Sequence, residues 1–249
     1  VHTEVVANIK SVDEILSFLL CISACIFLVR YVQTKKIATL VLTSICFFTA
    51  LLSKESSITF LAILPLLIFI KSVKKETSLN WSAAIKPILT LVAFAFLFLI
   101  IRHSVLSKIA SGDPSIADNL LMAAKSYDQK FATSIMILGM YLKLLFIPHP
   151  LVFDYSFNQI PLVGMGNIWF ILSLAIHIGL LLWAVLLWKK NKLLSFTILF
   201  YFISMSIYAN IFYMIGSSFG ERFLYTASFG FCMAVAYALS LLSKNQNAE

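Results

Sequence analysis

Ionisable side chains border or interrupt the apolar runs of this sequence at several separate places. At most of them a carboxylate stands beside a histidine or a strong cation. A carboxylate can act as a general base on a hydroxyl group, histidine with carboxylate can hold a divalent metal, and arginine and lysine bind phosphate. At a lipid–water boundary, such groups suit transfer from a phosphate-bearing lipid to a hydroxyl acceptor. The residues concerned are His2, Glu4, Lys54, Glu55, Arg102, His103, Asp154, Tyr155, Glu221, Arg222, Tyr225 and Ser228.

The sequence lacks the motifs of several other kinds of site. It shows no serine or cysteine triad pattern, Walker loop, dinucleotide fingerprint or CxxC metal knuckle. The four cysteines all fall within apolar runs, which predicts buried free thiols. The net charge is +8, but the basic residues are spread between hydrophobic segments, so nucleic acid is not expected as a partner.

The elements that must position these groups are membrane helices. Hydrophobic residues make up 61% of the 249 residues, which is more apolar surface than a soluble domain of this size can bury. The sequence predicts an all-α, polytopic transmembrane helical bundle of about seven spans, plus one interfacial or re-entrant helix at 131–148. The predicted spans are 14–33, 37–53, 57–71, 84–102, 167–188, 193–213 and 223–242.

The distribution of lysine and arginine predicts which ends of the spans face the cytosol. With the N-terminus outside, seven alternating crossings place most basic residues on the inner face, as the positive-inside rule favours. Residues 103–166 then form one long outer-face region that contains the interfacial helix. All the ionisable groups named above fall on the outer side, and such groups at membrane depth usually line a site or a pathway.

Purely structural roles are alternatives for several of these residues. Lys54 and Glu55 are compatible with a polar turn between two helices, and Glu221 with Arg222 is compatible with a structural ion pair. His177 lies in the middle of an apolar helix and is predicted to be a core histidine with a backbone partner.

Four stretches, in this order, resemble one family of membrane enzymes: VHTEVVANIKSVDEILSFLL, LLSKESSITFL, YLKLLFIPHPLVFDYSFNQIPLV and GERFLYTASFGFC. They resemble the membrane domain of the TMTC-type O-mannosyltransferases, which carry C-terminal tetratricopeptide repeats, and of their bacterial relatives. That family looks like part of the glycosyltransferase-C superfamily. The resemblance covers essentially the whole chain. It implies a glycosyltransferase-C-like fold and transfer of a sugar, mannose above all, from a polyprenyl-phosphate donor to a protein or other hydroxyl acceptor.

The resemblance also implies roles for individual residues. His2 and Glu4 match a stretch at the rim of the active site, where they would contact the acceptor or a divalent metal ion, the candidate cofactor. Arg222 is expected to bind the donor phosphate. Lys54 is expected either to face that phosphate or to pair with an acid, while Glu55 orients it or helps to bind metal. The implied donor-binding residues are Lys54, Glu55, Asp154, Tyr155, Glu221, Arg222, Tyr225 and Ser228.

The catalytic residue of the family is not expected in this sequence. In the superfamily an acidic residue, usually Asp, acts from the first outer loop, and this sequence resembles the region after that loop. Residues 1–249 are therefore predicted to be a partial membrane domain that lacks the repeats and is inactive when isolated. The expected membrane is a bacterial plasma membrane or the endoplasmic reticulum, with the active face periplasmic, extracellular or luminal. The expected partners are a polyprenyl-phosphate sugar donor, a protein or glycan acceptor and membrane lipids.

Two other functions are compatible with charged residues in a helical membrane protein. A transporter or flippase for a lipid-linked substrate usually shows inverted repeats and broken helices near the midplane, and the sequence shows neither. In a non-catalytic membrane scaffold, the polar residues between the apolar runs would only connect helices. A transferase predicts that Glu4, Lys54 and Arg222 line one outward cavity, whereas a scaffold predicts that they are dispersed.

Overall fold

The computed structural model describes residues 2–72, 81–107, 116, 118–152, 155 and 159–246. Within these ranges the protein is all-helical and contains no strand, which confirms the predicted class. Short 3₁₀ turns lie at Ile9–Ser11, Glu55–Thr59, Leu120–Ala123 and Glu221–Phe223. The α-helices are α1 (Thr3–Ala7), α2 (Val12–Thr34), α3 (Ile37–Ser53), α4 (Phe60–Ser72), α5 (Trp81–Leu106), α6 (Tyr127–Phe146), α7 (Ile168–Lys190), α8 (Lys192–Met205) and α9 (Leu224–Gln246).

The chain divides into two compact units. The first unit comprises residues 5–112, and the second comprises residues 113–249 together with residues 1–4. Residues from the two ends of the sequence therefore share the second unit.

In the first unit, one face of α2 is buried at every third or fourth position. Most of the buried side chains are small or polar: Glu14, Ser17, Cys21, Ala24, Leu28 and Tyr31. The remaining surface of α2 exposes large apolar residues such as Leu19 and Ile26. Small residues at the helix contacts, with apolar residues facing outward, are typical of helices packed in a membrane.

Antiparallel packing gives the first unit two ends of different charge. The end of α3 lies against the start of α2, where Lys54 contacts Asp13. Near the end of α5, Arg102 contacts Glu55, which follows Lys54 in the chain. The charged residues at the opposite end of α2 are all basic: Arg30, Lys35 and Lys36.

In the second unit, the middle of α6 is enclosed by protein. Seven consecutive residues, 132–138, are buried, so this stretch leaves no face for solvent or lipid. On one side α7 approaches so closely that a Cβ on Gly139 would lie 2.7 Å from Oγ of Ser173. On another side the ring of Tyr141 stacks on Phe219, with centroids 4.4 Å apart.

The last two helices, α8 and α9, run antiparallel. A Cβ on Gly230 would lie 2.8 Å from the carbonyl oxygen of Thr197, so glycine permits their close contact. Asn191, just before α8, donates a hydrogen bond to the hydroxyl of Tyr237 in the second half of α9 (2.9 Å). The start of α9 therefore lies at the opposite end of this pair from the basic turn formed by Lys189, Lys190 and Lys192.

In the described part of the chain, four helices are long and apolar enough to cross a membrane: Ile9–Thr34, Ala84–Leu106, Ile168–Lys190 and Glu221–Ser243. The other predicted spans correspond to shorter apolar helices at Ile37–Ser53, Glu55–Ile70 and Lys192–Met205. At about 1.5 Å per residue, these are shorter than a hydrocarbon core of roughly 30 Å. The predicted count of about seven spans is therefore not supported, although a helix forms at every predicted position.

The helix predicted at 193–213 is shorter than expected. It ends at Met205, and Asn210 then adopts a left-handed backbone conformation (φ 55°). The side-chain oxygen of Asn210 accepts hydrogen bonds from the backbone N–H of Ile215 (3.0 Å) and the amide of Asn119 (3.2 Å). This distant contact holds the turn that the local sequence does not reveal.

Two other sequence predictions concern single elements. The helix predicted at 131–148 forms as α6, but its interfacial or re-entrant placement and the outer position of residues 103–166 stay predictions. His177 is buried, and its Nδ1 lies 2.7 Å from the carbonyl oxygen of Ser173. The predicted core histidine with a backbone partner is confirmed.

Candidate functional site

The two ends of the sequence meet at the start of α9. Arg222 donates two hydrogen bonds to one carboxylate, from its backbone N–H to Oε2 of Glu4 (2.8 Å) and from Nη1 to Oε1 of Glu4 (2.7 Å). The Glu4 side chain is only 7% exposed, whereas the Arg222 side chain is 36% exposed. Charge-assisted hydrogen bonds to a buried carboxylate are stronger than those of a surface ion pair. They fix Glu4 to the start of α9.

His2 makes a second contact with α9. Its Nε2 lies 2.7 Å from Oγ of Ser228. Ser228 donates its own proton to the carbonyl oxygen of Tyr225 (2.7 Å), so it accepts from His2, and Nε2 is the protonated nitrogen. Desolvation lowers the pKa of His2 and so favours the neutral ring. In that form Nδ1 is an acceptor, and Ser228 is not a nucleophile activated by His2.

Helical periodicity places these contacts on one side of the 3₁₀ turn Glu221–Phe223 and of α9, which follows it directly. Arg222, Tyr225 and Ser228 follow one another at intervals of three residues, which brings them to a common face. The ring of His2 packs edge-on against Tyr225, with centroids 5.3 Å apart. His2 and Glu4, from the first of the stretches that carry the family resemblance, therefore contact the last of them within the second unit.

Glu221 anchors the loop that carries Tyr155. It is 3% exposed, and its Oε1 accepts hydrogen bonds from the backbone N–H of Val152 (2.7 Å) and the hydroxyl of Tyr155 (3.0 Å). These donors and the nearby helix N-terminus stabilise the buried carboxylate. Desolvation and the hydrogen bond to Glu221 raise the pKa of Tyr155 to about 12, so the phenol stays protonated and keeps donating.

Aromatic rings hold the chain just before Glu221. Phe219 is buried between the stacked ring of Tyr141 and the edge-on ring of Tyr155, at centroid distances of 4.4 Å and 4.5 Å. The hydroxyl of Tyr141 accepts a hydrogen bond from the backbone N–H of Gly220 (3.0 Å). Helix α6 thereby sets the position from which Glu221 and Arg222 project.

Arg222 keeps hydrogen-bonding capacity beyond its contact with Glu4. A guanidinium has five N–H donors, and among the described residues its one hydrogen-bonded partner is Glu4. Its Cζ lies 4.8 Å from the centre of the Phe223 ring. Because the side chain is also 36% exposed, the remaining N–H groups can bind an anion such as a phosphate in a bidentate manner.

In the first unit, Lys54 contacts acids. Its Nζ lies 2.7 Å from Oδ2 of Asp13 and 3.2 Å from Oε1 of Glu14. Burial acts to lower the pKa of Lys54, but the hydrogen bond to Asp13 and the charges of both carboxylates outweigh it, so the pKa is raised. Pairing with an acid is one of the two arrangements that the sequence left open for Lys54.

Glu55 does not orient Lys54. Its Oε2 lies 2.9 Å from Nη2 of Arg102, and its side chain is 61% exposed. An ion pair this exposed contributes little to stability. Asp13 and Glu14, not Glu55, are the acids that contact Lys54 and hold its side chain.

His2 and Glu4 do not fit a divalent metal ion in this arrangement. Both oxygens of Glu4 accept hydrogen bonds from Arg222, so a metal would have to displace the guanidinium. Among the described residues, no group of three or more His, Cys, Asp and Glu side chains comes together in the way that metal sites require. The predicted metal ion has no ready-made site at these two residues.

Some site residues lie outside this description, and others were missed by sequence reasoning. Asp154 falls outside the described residues, so its predicted role has no structural counterpart here. The partnership of Asp13 and Glu14 with Lys54 and the support from Tyr141 were not predicted. Two adjacent acids at the start of an apolar run were the available signal for the first of these. The buried Tyr141 had no such signal.

Comparison with known proteins connects the chain with one group of enzymes. The human protein O-mannosyl-transferase TMTC4 is 29% identical over 137 residues, which are 53% of this chain and 18% of the human protein. The mouse protein of the same name is 28% identical over 137 residues, with the same shares. No family model matches the chain, and no solved structure matches it. The chain thus matches less than a fifth of these relatives and is distantly similar to part of a membrane O-mannosyltransferase.

Proposed function

We propose that this chain supplies the donor-phosphate site of a membrane glycosyltransferase. In this reaction a sugar, mannose in the first instance, passes from a polyprenyl-phosphate carrier to the hydroxyl of a protein or glycan. The observation that carries the proposal is Arg222, which is fixed by the buried Glu4 and still has N–H groups for an anion. The similarity to protein O-mannosyl-transferases supports the class of reaction.

In this reaction Arg222 binds and stabilises the leaving group, the carrier phosphate. The bond between the anomeric carbon and the phosphate oxygen breaks, while the acceptor oxygen bonds to that carbon and gives its proton to a general base. The family resemblance matches no residue of this sequence to that base. The carrier phosphate leaves with added negative charge, and the guanidinium stabilises that charge through paired hydrogen bonds.

The neighbouring residues position this cation and the groups around it. Glu221 and Tyr155 hold the loop beside the start of α9. Tyr225 and Ser228 hold the ring of His2 with Nδ1 available to accept a hydrogen bond from a sugar or acceptor hydroxyl. Lys54 and Glu55 have an indirect role in this proposal, since their contacts join the ends of helices in the first unit.

We assign the site to the extracytoplasmic or luminal face of the membrane. In each unit taken by itself, the charged residues that the structure describes at the two ends differ: a cluster of lysines lies at one end, and acids mix with bases at the other. The lysine-rich ends contain Lys35 and Lys36 in one unit and Lys189 and Lys190 in the other. The positive-inside rule places such ends in the cytosol.

The test of the function is a transfer assay on the intact protein in sealed lipid vesicles, in which the two leaflets face separate compartments. Polyprenyl-phosphate mannose is offered with a hydroxyl-bearing acceptor peptide, and polyprenyl-phosphate glucose and a nucleotide sugar are offered in parallel. We expect transfer from a carrier-linked donor, and its loss in Arg222→Gln. Movement of the labelled lipid across a bilayer without any transfer would instead favour a flippase. Neither transfer nor movement would favour a scaffold.

The assignment of the face has a separate test. Glu55→Cys, in a background without other reactive cysteines, places a thiol at an exposed position beside Lys54. We expect labelling by a membrane-impermeant reagent from the periplasmic, extracellular or luminal side. Labelling from the cytosolic side alone would contradict the assignment.

A further inference from the structure

A cavity of about 730 Å³ lies in the second unit between α6, α7 and residues 159–161. Its lining is mainly apolar, with Met136, Met140, Leu172 and Ile176 among the residues that form it. A volume of several hundred cubic ångströms with apolar walls and a few polar groups is typical of a small-molecule site.

The rim of the cavity consists of residues that would contact lipid. Trp169, Leu172 and Ile176 line the cavity and are 64%, 47% and 41% exposed, and all lie on α7, one of the candidate membrane spans. Phe146 of α6 is 68% exposed at the same rim. In a membrane this opening faces acyl chains, so a lipid chain can enter it without crossing water.

Lys143 is the one ionisable residue in this lining. It is exposed and forms no ion pair with a carboxylate in the part of the chain that the structure describes. An unpaired ammonium among apolar residues at membrane depth is costly unless an anion or water reaches it. The cavity thus combines room for an apolar chain with one positive charge, the complement of an anionic amphiphile.

The cavity is separate from the cluster around Arg222. Helix α6 presents Gly139 and Lys143 to the cavity, whereas Tyr141 contacts Phe219 and Gly220. At about 100° per residue, positions two apart lie on nearly opposite sides of a helix. A lipid whose head group meets Lys143 is therefore divided by α6 from one whose phosphate meets Arg222.

We propose that this cavity binds an anionic glycerophospholipid of the surrounding bilayer, with one acyl chain in the cavity and the head-group phosphate on Lys143. The amide of Gln159, which also lines the cavity, provides a hydrogen-bond donor for the same head group. The bound lipid fills the space between α6 and α7. It thereby supports the helix that positions the start of α9.

The experiment uses photoactivatable phosphatidylglycerol and phosphatidylcholine, each incorporated separately into nanodiscs with the intact protein. Cross-linked peptides are mapped by mass spectrometry. We expect phosphatidylglycerol to label the peptides containing residues 136–146 and 169–176. Lys143→Gln should lower this labelling about fivefold, as expected for one cation near a lipid head group, and leave phosphatidylcholine labelling unchanged. Lys130→Gln, on the same helix but outside the lining, is the matched control and should change neither.

A second variant keeps the charge and fills the space. Met140→Trp should reduce the labelling of both peptides by either lipid while Lys143 is still present. Equal labelling in Lys143→Gln and Lys130→Gln, or unchanged labelling in Met140→Trp, would overturn the proposal. Displacement of phosphatidylglycerol by an equal amount of polyprenyl phosphate would also overturn it, because the cavity would then belong to the sugar carrier. These labelling results do not depend on sugar transfer, so a protein without transferase activity would still test the lipid site.

Discussion

The two units each hold one cation against carboxylates, but they do so in opposite ways. In the first unit a lysine, Lys54, lies between two acids, Asp13 and Glu14. In the second unit an arginine, Arg222, meets one acid of the described residues, Glu4, and retains further N–H groups. The lysine is thus committed to holding the protein together, whereas the arginine can also bind something that is not protein.

This difference changes how the sequence motifs are interpreted. Both motifs place a cation beside a glutamate at the edge of an apolar run, and from sequence alone they are equivalent. The residues that Lys54 and Arg222 contact in the structure distinguish the two motifs. Local excess of negative charge around Lys54 disfavours an anionic ligand there, while the fixed guanidinium of Arg222 favours one. The predictions below test this division of roles.

The largest expected effect is on catalysis. Arg222→Gln should lower the kcat/KM of sugar transfer about a hundredfold, because it removes the group that stabilises the leaving phosphate. Arg102→Gln is the matched control, since Arg102 is also 36% exposed and also contacts a carboxylate. The fall in kcat/KM in Arg102→Gln should be much smaller than in Arg222→Gln. Equal losses in both variants, measured with the same carrier-linked donor, would remove the distinction between the two arginines.

The next effect is on stability. Lys54→Met leaves the buried Glu14 without its cation and should lower the free energy of unfolding by about 2 kcal/mol. This value is below that of a fully buried pair because Lys54 and Asp13 are partly exposed. The free energy is measured by titration with sodium dodecyl sulfate in detergent micelles.

The double variant Glu14→Gln/Lys54→Met separates charge from packing. It should recover part of the lost stability, because the buried carboxylate that lost its lysine is then replaced by a neutral amide. If the double variant were as unstable as the sum of the two single ones, the pairing of Lys54 with Glu14 would not be the cause. Donor turnover in Lys54→Met, corrected for the folded fraction, should stay within about tenfold of the parent, less than the loss expected for a transition-state contact.

The smallest effect concerns Tyr155. Tyr155→Phe removes the hydrogen bond to Glu221 and should cost about 1 kcal/mol of stability. The pKa of Tyr155 in the folded protein, about 12, lies above the ordinary 10.0, so this stabilisation is complete below pH 10 and is lost as the pH rises through about 12. The stability difference between parent and variant should shrink over that interval. A difference that grew with pH would show that the pKa of Tyr155 is not raised in the folded protein.

The sequence predicted the helices well because each is a long apolar run bounded by polar residues. It overestimated the number of spans because short runs such as Ile37–Ser53 are apolar enough, but not long enough, to cross by themselves. The early end of α8 was missed because Asn210 depends on Asn119, which is 91 residues away in the sequence.

The candidate site was predictable in its residue types but not in its pairings. The sequence singled out both Glu4 and Arg222, yet nothing in either local stretch says that one binds the other. Pairing is a property of the tertiary structure, as the contact of Lys54 with Asp13 also shows. The resemblance to a family supplied the chemical role, and the contacts supplied the distinction between the two cations.

The two hydrogen bonds that Arg222 donates to Glu4 also affect how a ligand binds. Because a single carboxylate binds both the peptide nitrogen and the guanidinium of the same residue, the side chain is preorganised before any ligand arrives. Little rotamer entropy remains to be lost when an anion binds. Glu4→Ala should therefore weaken ligand affinity, because Arg222 is still present in the sequence but its side chain is no longer held in one conformation.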